Sequence, residues 1–80
     1  MKLPRDISGR QLGRELGKLG YSLTRQKGSH MRFTTQRNGE HHIAIPDHDP
    51  LRIGTFQGIL KDVAAHHRLT VAEVMEQLEL

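Results

Sequence analysis

Between Tyr21 and Ile45 the chain alternates apolar and polar residues, and two glycine-containing turns cut that alternation into three pieces. Tyr21, Leu23, Met31, Phe33, Ile43 and Ile45 are its apolar members. A period of two marks strands with one buried face, so the stretch predicts a β-meander. The turns are Gln26-Lys27-Gly28 and Arg37-Asn38-Gly39. Loop length sets the pairing register, and a one-residue slip sends every side chain to the other face. A two-residue loop at Asn38-Gly39 would set Arg32 opposite Ile45 and mix polar with apolar residues. A three-residue loop with Gly39 left-handed pairs Phe33 with Ile43 and Met31 with Ile45. The same length at Gly28 pairs Leu23 with Met31 and Tyr21 with Phe33. Three-residue loops, each ending in a glycine bulge, are therefore expected.

In this register the opposite face carries Ser22, Thr24, His30, Arg32, Thr34, His42 and Ala44. It is too polar for a core and is expected to meet water or a ligand. Helices flank the meander. Before it, Ser8 and Gln11 form a capping box, Ile7 and Leu12 have staple spacing, and Leu12, Leu16 and Leu19 make one apolar stripe. Gly20 supplies a left-handed stop. Gly13 and Gly17 weaken this helix, and close packing of its backbone on the sheet explains them best. After the meander, Pro46 and Pro50 exclude regular structure. Phe56, Ile59, Leu60, Val63 and Ala64 then have helical spacing behind Gly54 and Thr55. A last short helix starts at Thr70, with Glu73 completing its capping box and Val71, Val74, Met75 and Leu78 apolar. The expected fold is α+β in the order α-β-β-β-α-α. It has a three-stranded antiparallel sheet, helices on its apolar face and the polar face open.

Eighty residues suffice for one domain, spanning 1–80, with a small core. No cysteine is present. That excludes disulfides, thiol nucleophiles and zinc held by sulfur, and fits a reducing cytoplasm. No apolar run nears the roughly 18 residues of a membrane span, and the first six residues hold no apolar signal core. Twelve Lys and Arg against nine Asp and Glu give +3, which permits a nucleic-acid ligand without demanding one. The spread-out acidic residues argue against a carboxylate-rich magnesium site. Lys2, Arg5, Arg10, Arg14 and Lys18, on or beside the first helix, read as a solvated face.

Six histidines are many for this length. His41-His42 would diverge on a strand, and His66-His67 would lie about 100° apart on a helix, so neither pair chelates as a unit. His66 and His67 are expected to supply favourable charge at a helix C-terminus. No metal or other cofactor is called for. His30 has a different setting. It follows Gly28-Ser29 at the edge of the polar face, with Arg32 two residues on and Arg25 and Lys27 at the adjoining turn. One imidazole among cations suits metal-free cleavage of RNA, whose 2′-hydroxyl is an internal nucleophile. Imidazole takes or gives the proton, and the cations stabilise phosphoryl charge. His48, just past the strand that pairs with His30, is the natural second group. Asp47 and Asp49 would orient a histidine or form turns before Pro50.

The order Leu19-Gly20-Tyr21, Lys27-Gly28-Ser29-His30, an apolar strand, Ile45-Pro46-Asp47-His48, then Gly54-Thr55-Phe56 leading to Ile59-Leu60-Lys61 resembles the HicA (YcfA-like) toxin family. The likeness runs from Lys2-Leu3-Pro4 to the last helix. It implies one HicA-like toxin domain with a minimal double-stranded-RNA-binding fold. Its implied activity is that of an mRNA interferase of a type II toxin–antitoxin system, cleaving mRNA and arresting translation. It further implies His30 as catalytic residue and a HicB-like antitoxin covering the site. Lys27, Ser29, Arg32 and His48 are the expected RNA- and phosphate-binding residues. The chain departs from the family at Ala64-Ala65-His66-His67-Arg68-Leu69, where members commonly carry Ala-Gly-Leu, and this bears on where the main helix ends. The alternative is a non-catalytic RNA-binding module. A third reading, a subunit docking only protein, predicts no salt-dependent RNA affinity.

Overall fold

A computed structural model describes residues 6–80; Lys2, Leu3, Pro4 and Arg5 lie outside the described residues. The chain forms α1 (Gly9–Leu16) with a 3₁₀ turn (Gly17–Leu19), then strands β1 (Ser22–Lys27), β2 (His30–Thr35) and β3 (His41–Pro46), then α2 (Ile53–His67) and α3 (Val71–Gln77). The sheet is antiparallel in the order β1-β2-β3, so β2 is central and both partners are edges.

Each helix forms where its ends are satisfied. The Ser8 hydroxyl accepts the Gln11 N–H, and the Gln11 side chain accepts the Ser8 N–H in return. Thr70 and Glu73 repeat the arrangement at α3. Gly20 closes the first helix at φ 87°. At the end of α2, Arg68 adopts the left-handed conformation at φ 56°. Leu69 N–H then reaches the Ala64 carbonyl at 2.9 Å, and Arg68 N–H the Ala65 carbonyl at 3.4 Å. That pair of bonds ends the helix as a Schellman turn.

The β2–β3 pairing is as expected, with Met31 opposite Ile45 and Phe33 opposite Ile43. Gly39 has φ 95°, and its N–H bonds the Gln36 carbonyl at 3.2 Å. The β1–β2 pairing differs from the expected one. Its turn has two residues, Gly28 and Ser29, and sets Lys27 opposite His30 and Gln26 opposite Met31. Gly28, at φ 59°, supplies the positive φ that a two-residue hairpin turn asks of its first residue. A bulge between Leu23 and Arg25 leaves Thr24 unpaired and brings Leu23 opposite Phe33. The extra residue resets the phase, so Tyr21 still points into the core. Leu23, on the outer strand, stays 48% exposed and outside the core, contrary to expectation.

The core lies between the helices and one sheet face. Leu12, Leu16, Met31, Phe33, Ile45, Phe56, Leu60 and Val63 are among its buried members. Buried Thr35 is satisfied, donating to the Leu19 carbonyl at 3.0 Å and accepting from Arg37 N–H at 3.1 Å. The first helix approaches the sheet through glycine. A Cβ at Gly13 would overlap the Phe33 ring, and one at Gly9 would overlap the Pro46 carbonyl. Gly17 meets nothing, so the close-packing account holds for Gly13 and fails for Gly17.

The two positions therefore respond oppositely to alanine. Gly17→Ala is expected to stabilise by about 0.5–1 kcal/mol, because it removes glycine's backbone entropy in open space. Gly13→Ala is expected to destabilise by about 1–3 kcal/mol through overpacking. Urea denaturation of the two variants checks this.

Candidate functional site

His30 opens β2 immediately after the Gly28-Ser29 turn and is exposed. Directly paired residues project on one face. The first row of the open face is thus Lys27, His30 and Pro46; the second is Arg25, Arg32 and Ala44. The two-residue turn takes Lys27 out of the loop and sets it across from His30. The bulge takes Arg25 from the turn to a place opposite Arg32. Its inclusion in the face was missed in the sequence, where Thr24 carries no glycine to announce a bulge. Like charges directly opposed cost stability. Lys27, Arg25 and Arg32 join none of the ion pairs among the described residues. The patch is therefore a cationic surface suited to an anion.

Ser29 lies in the turn, where its carbonyl accepts the Asp47 N–H at 2.6 Å. His48 lies two residues past Pro46, on the loop rather than the sheet, with its side chain exposed and its carbonyl bonded to Gly9 N–H at 2.9 Å. His30, Lys27 and Arg32 share a face, with Ser29 adjoining; among the described residues no hydrogen bond joins His48 to them. The Asp47 carboxylate bonds neither histidine. It is held instead by Arg10, which stays exposed on the helix face that the sequence implied.

Farther along the open face a hydrogen-bonded chain crosses all three strands. Thr24 and Thr34 hydroxyls meet at 2.8 Å, Thr34 meets His42 Nδ1 at 2.8 Å, and His42 Nε2 meets Glu40 at 3.1 Å. Hydrogen bonds from Gln36 and His42 hold the Glu40 carboxyl below the usual range. Among the described residues no three His, Cys, Asp or Glu side chains converge as metal ligands, and no helix is long and apolar enough to cross a membrane.

An antiparallel three-stranded sheet with helices on one face and a cationic open face defines a small α+β domain, consistent with the double-stranded-RNA-binding fold. The chain belongs to the HicA toxin family of bacterial toxin–antitoxin systems: the family model matches residues 9–64, more than half of the chain. The matched span contains His30, its cations and His48, and it ends at Ala64, the first residue of the Ala64–Leu69 departure. A toxin of such a system implies a cognate antitoxin. No curated protein and no solved structure matched the chain in the corresponding comparisons.

Three other histidines lie at the far end of α2, and the burial of His67 corrects the expectation of helix-end charge there. His67 is buried. Asn38 Nδ2 approaches its Nδ1 at 3.2 Å, so that nitrogen accepts and Nε2 carries the proton. Nε2–H donates to the Tyr21 oxygen at 3.0 Å, the Tyr21 hydroxyl donates to His41 Nδ1 at 2.7 Å, and His41 Nε2–H donates to Asp62 at 3.3 Å. Burial pushes the Tyr21 phenol up to about 12, so it keeps its proton. His66 stacks on His41 with centroids 4.3 Å apart and donates to the Arg37 and Gly39 carbonyls. The relay works with the His67 imidazole neutral. A second proton on His67 would set Nδ1–H against the Asn38 amide donor. Burial, then repulsion from His66, His41 and Arg37, lowers the His67 value below the ordinary imidazole one.

The unfolded chain therefore takes up this proton at a higher pH than the folded one. Stability is fully present above about 6.5, the unperturbed imidazole value, and falls with pH down through the depressed folded value. Melting temperature is expected to drop as pH falls below about 6.5, and His67→Gln is expected to flatten that dependence in calorimetric scans.

Proposed function

We propose that this toxin is a metal-independent endoribonuclease, an mRNA interferase, acting as a single domain in the cytoplasm. His30 is its general acid or base. The observation that carries the reading is the exposed His30 directly opposite Lys27 and on one face with Arg32. RNA laid across this face brings a 2′-hydroxyl and its neighbouring phosphate to the imidazole. His30 either removes the 2′-proton, so that the oxygen attacks phosphorus, or protonates the departing 5′-oxygen. Lys27 and Arg32, with Ser29 at the turn, hold the phosphate and meet the charge that grows in the transition state. His48 is the candidate for the complementary acid–base role and a further RNA contact. The antitoxin is HicB-like and acts by covering this face, which an inhibitor must occupy to block both binding and cleavage.

Cleavage of a long single-stranded RNA in EDTA tests the reading, with wild type and His30→Ala compared. Wild type is expected to leave 2′,3′-cyclic phosphate ends. His30→Ala is expected to lose about 10²-fold or more in rate while binding RNA as before. Lys27→Ala and Arg32→Ala are each expected to lower the slope of log affinity against log salt by about 0.7. If neither protein cuts but both bind with steep salt dependence, the chain is a binding module without catalysis.

A further inference from the structure

We propose that Asp47 is a positioning residue for His30, that it acts through the peptide joining Ser29 to His30, and that Arg10 holds it in place. The inference rests on the reading of His30 as the catalytic group.

His30 occupies the most weakly supported place in the sheet, the first residue after a two-residue turn. The β2–β3 pairing ends with His30 opposite Pro46. Asp47 adds one bond beyond that ladder, its N–H to the Ser29 carbonyl at 2.6 Å. That carbonyl belongs to the peptide plane from which the His30 backbone departs, so its orientation sets the direction of the His30 side chain.

The Asp47 side chain gathers the surrounding elements onto this point. Arg10 Nε donates to Oδ1 at 3.0 Å and to Oδ2 at 3.1 Å, and Nη2 donates to Oδ2 at 2.8 Å. Such a fork fixes direction as well as distance. Gln26 of β1 spans from Asp47 Oδ2, at 3.5 Å, to the Gly28 carbonyl, at 3.2 Å. The carboxylate thus links α1, β1 and the loop after β3 around the two residues that precede His30.

The surroundings separate this role from one in folding. Gly9 packs against the Pro46 carbonyl and donates to the His48 carbonyl at 2.9 Å, so the loop is pinned on both sides of Asp47 without the ion pair. The Arg10 side chain is 60% exposed and that of Asp47 26%, so solvent screens much of what the pair adds to folding stability. Three directed hydrogen bonds at an exposed pair therefore serve orientation. Asp47 bonds no histidine, so it acts through the backbone and exchanges no proton with substrate.

The test measures kcat and KM on an end-labelled single-stranded RNA in EDTA for wild type, Asp47→Asn, Arg10→Ala, Arg10→Lys and the Arg10→Ala/Asp47→Asn double variant, with His30→Ala alongside. Melting curves are recorded for each. Asp47→Asn and Arg10→Ala are expected to lower kcat about 10- to 100-fold, the scale of a small misplacement of a reacting group. KM, the shape of the kcat–pH profile and the melting temperature are expected to stay near wild type. The double variant is expected to be no slower than the worse single one, as for two groups acting through one contact. Arg10→Lys, which keeps the charge but loses the fork, is expected to recover only part of the rate. Wild-type kcat in both single variants, with His30→Ala inactive, overturns the proposal and leaves the catalytic reading standing. A loss of rate explained by the unfolded fraction also overturns it, since the role is then structural. Equal cleavage by wild type and His30→Ala removes the catalytic reading and the positioning role with it.

Discussion

The approach of α1 to the sheet, made possible by two glycines four residues apart, organises the rest of this molecule. At Gly13 the Phe33 ring lies where a side chain would otherwise stand, and at Gly9 the Pro46 carbonyl does. Residues at this spacing share one helical face, so the helix meets the sheet along a line of bare backbone. One sheet face becomes core and the other is left to solvent. The same contact lays the start of the helix beside the end of β3, which brings Arg10, the neighbour of Gly9, within reach of Asp47. Core packing and the geometry around His30 thus share an origin.

Much of this was readable from residue order because several local signals agreed. Alternation and Asn38-Gly39 both pointed to one register for β2 and β3, and both capping boxes marked helix starts. The β1–β2 hairpin was not readable in the same way. A bulge needs no special residue at Thr24, and the apolar alternation tolerates either phase once an extra residue enters. The error fell on residues that matter, because Lys27 and Arg25 change from turn residues to members of the face. His30 was legible from its cationic neighbours, whereas the Arg10–Asp47 contact joins residues 37 positions apart and leaves no local trace. His67 was misread for a similar reason: helix-end position is local, but the Tyr21 hydroxyl that turns its imidazole inward lies 46 positions away in the chain.

The fold divides its duties by face. Buried side chains gather on the helix side, while the candidate RNA contacts lie on exposed positions whose loss opens no cavity. Arg25 opposite Arg32 shows the site working against stability rather than for it, since neither guanidinium joins an ion pair among the described residues. A polyanion laid on the face removes that repulsion, so part of the attraction for ligand is relief of a cost already present in the free protein. The histidine relay at the other end makes the opposite bargain, with its donors and acceptors matched inside the protein.

The bulge at Thr24 also has a bearing on how copies of this protein behave toward each other. β1 is an outer strand with an unpaired row of backbone groups, the kind of border on which a second chain can extend a sheet. The local kink breaks the straight run such growth requires, and Arg25 and Lys27 place like charge along the same border. Lys27, a candidate RNA contact, and its neighbour Arg25 therefore double as gatekeepers of colloidal behaviour. A neutralised Lys27 or Arg25 that fails to act in a concentrated preparation has lost a ligand contact and a safeguard against self-association at once, and only its dispersity at working concentration separates the two.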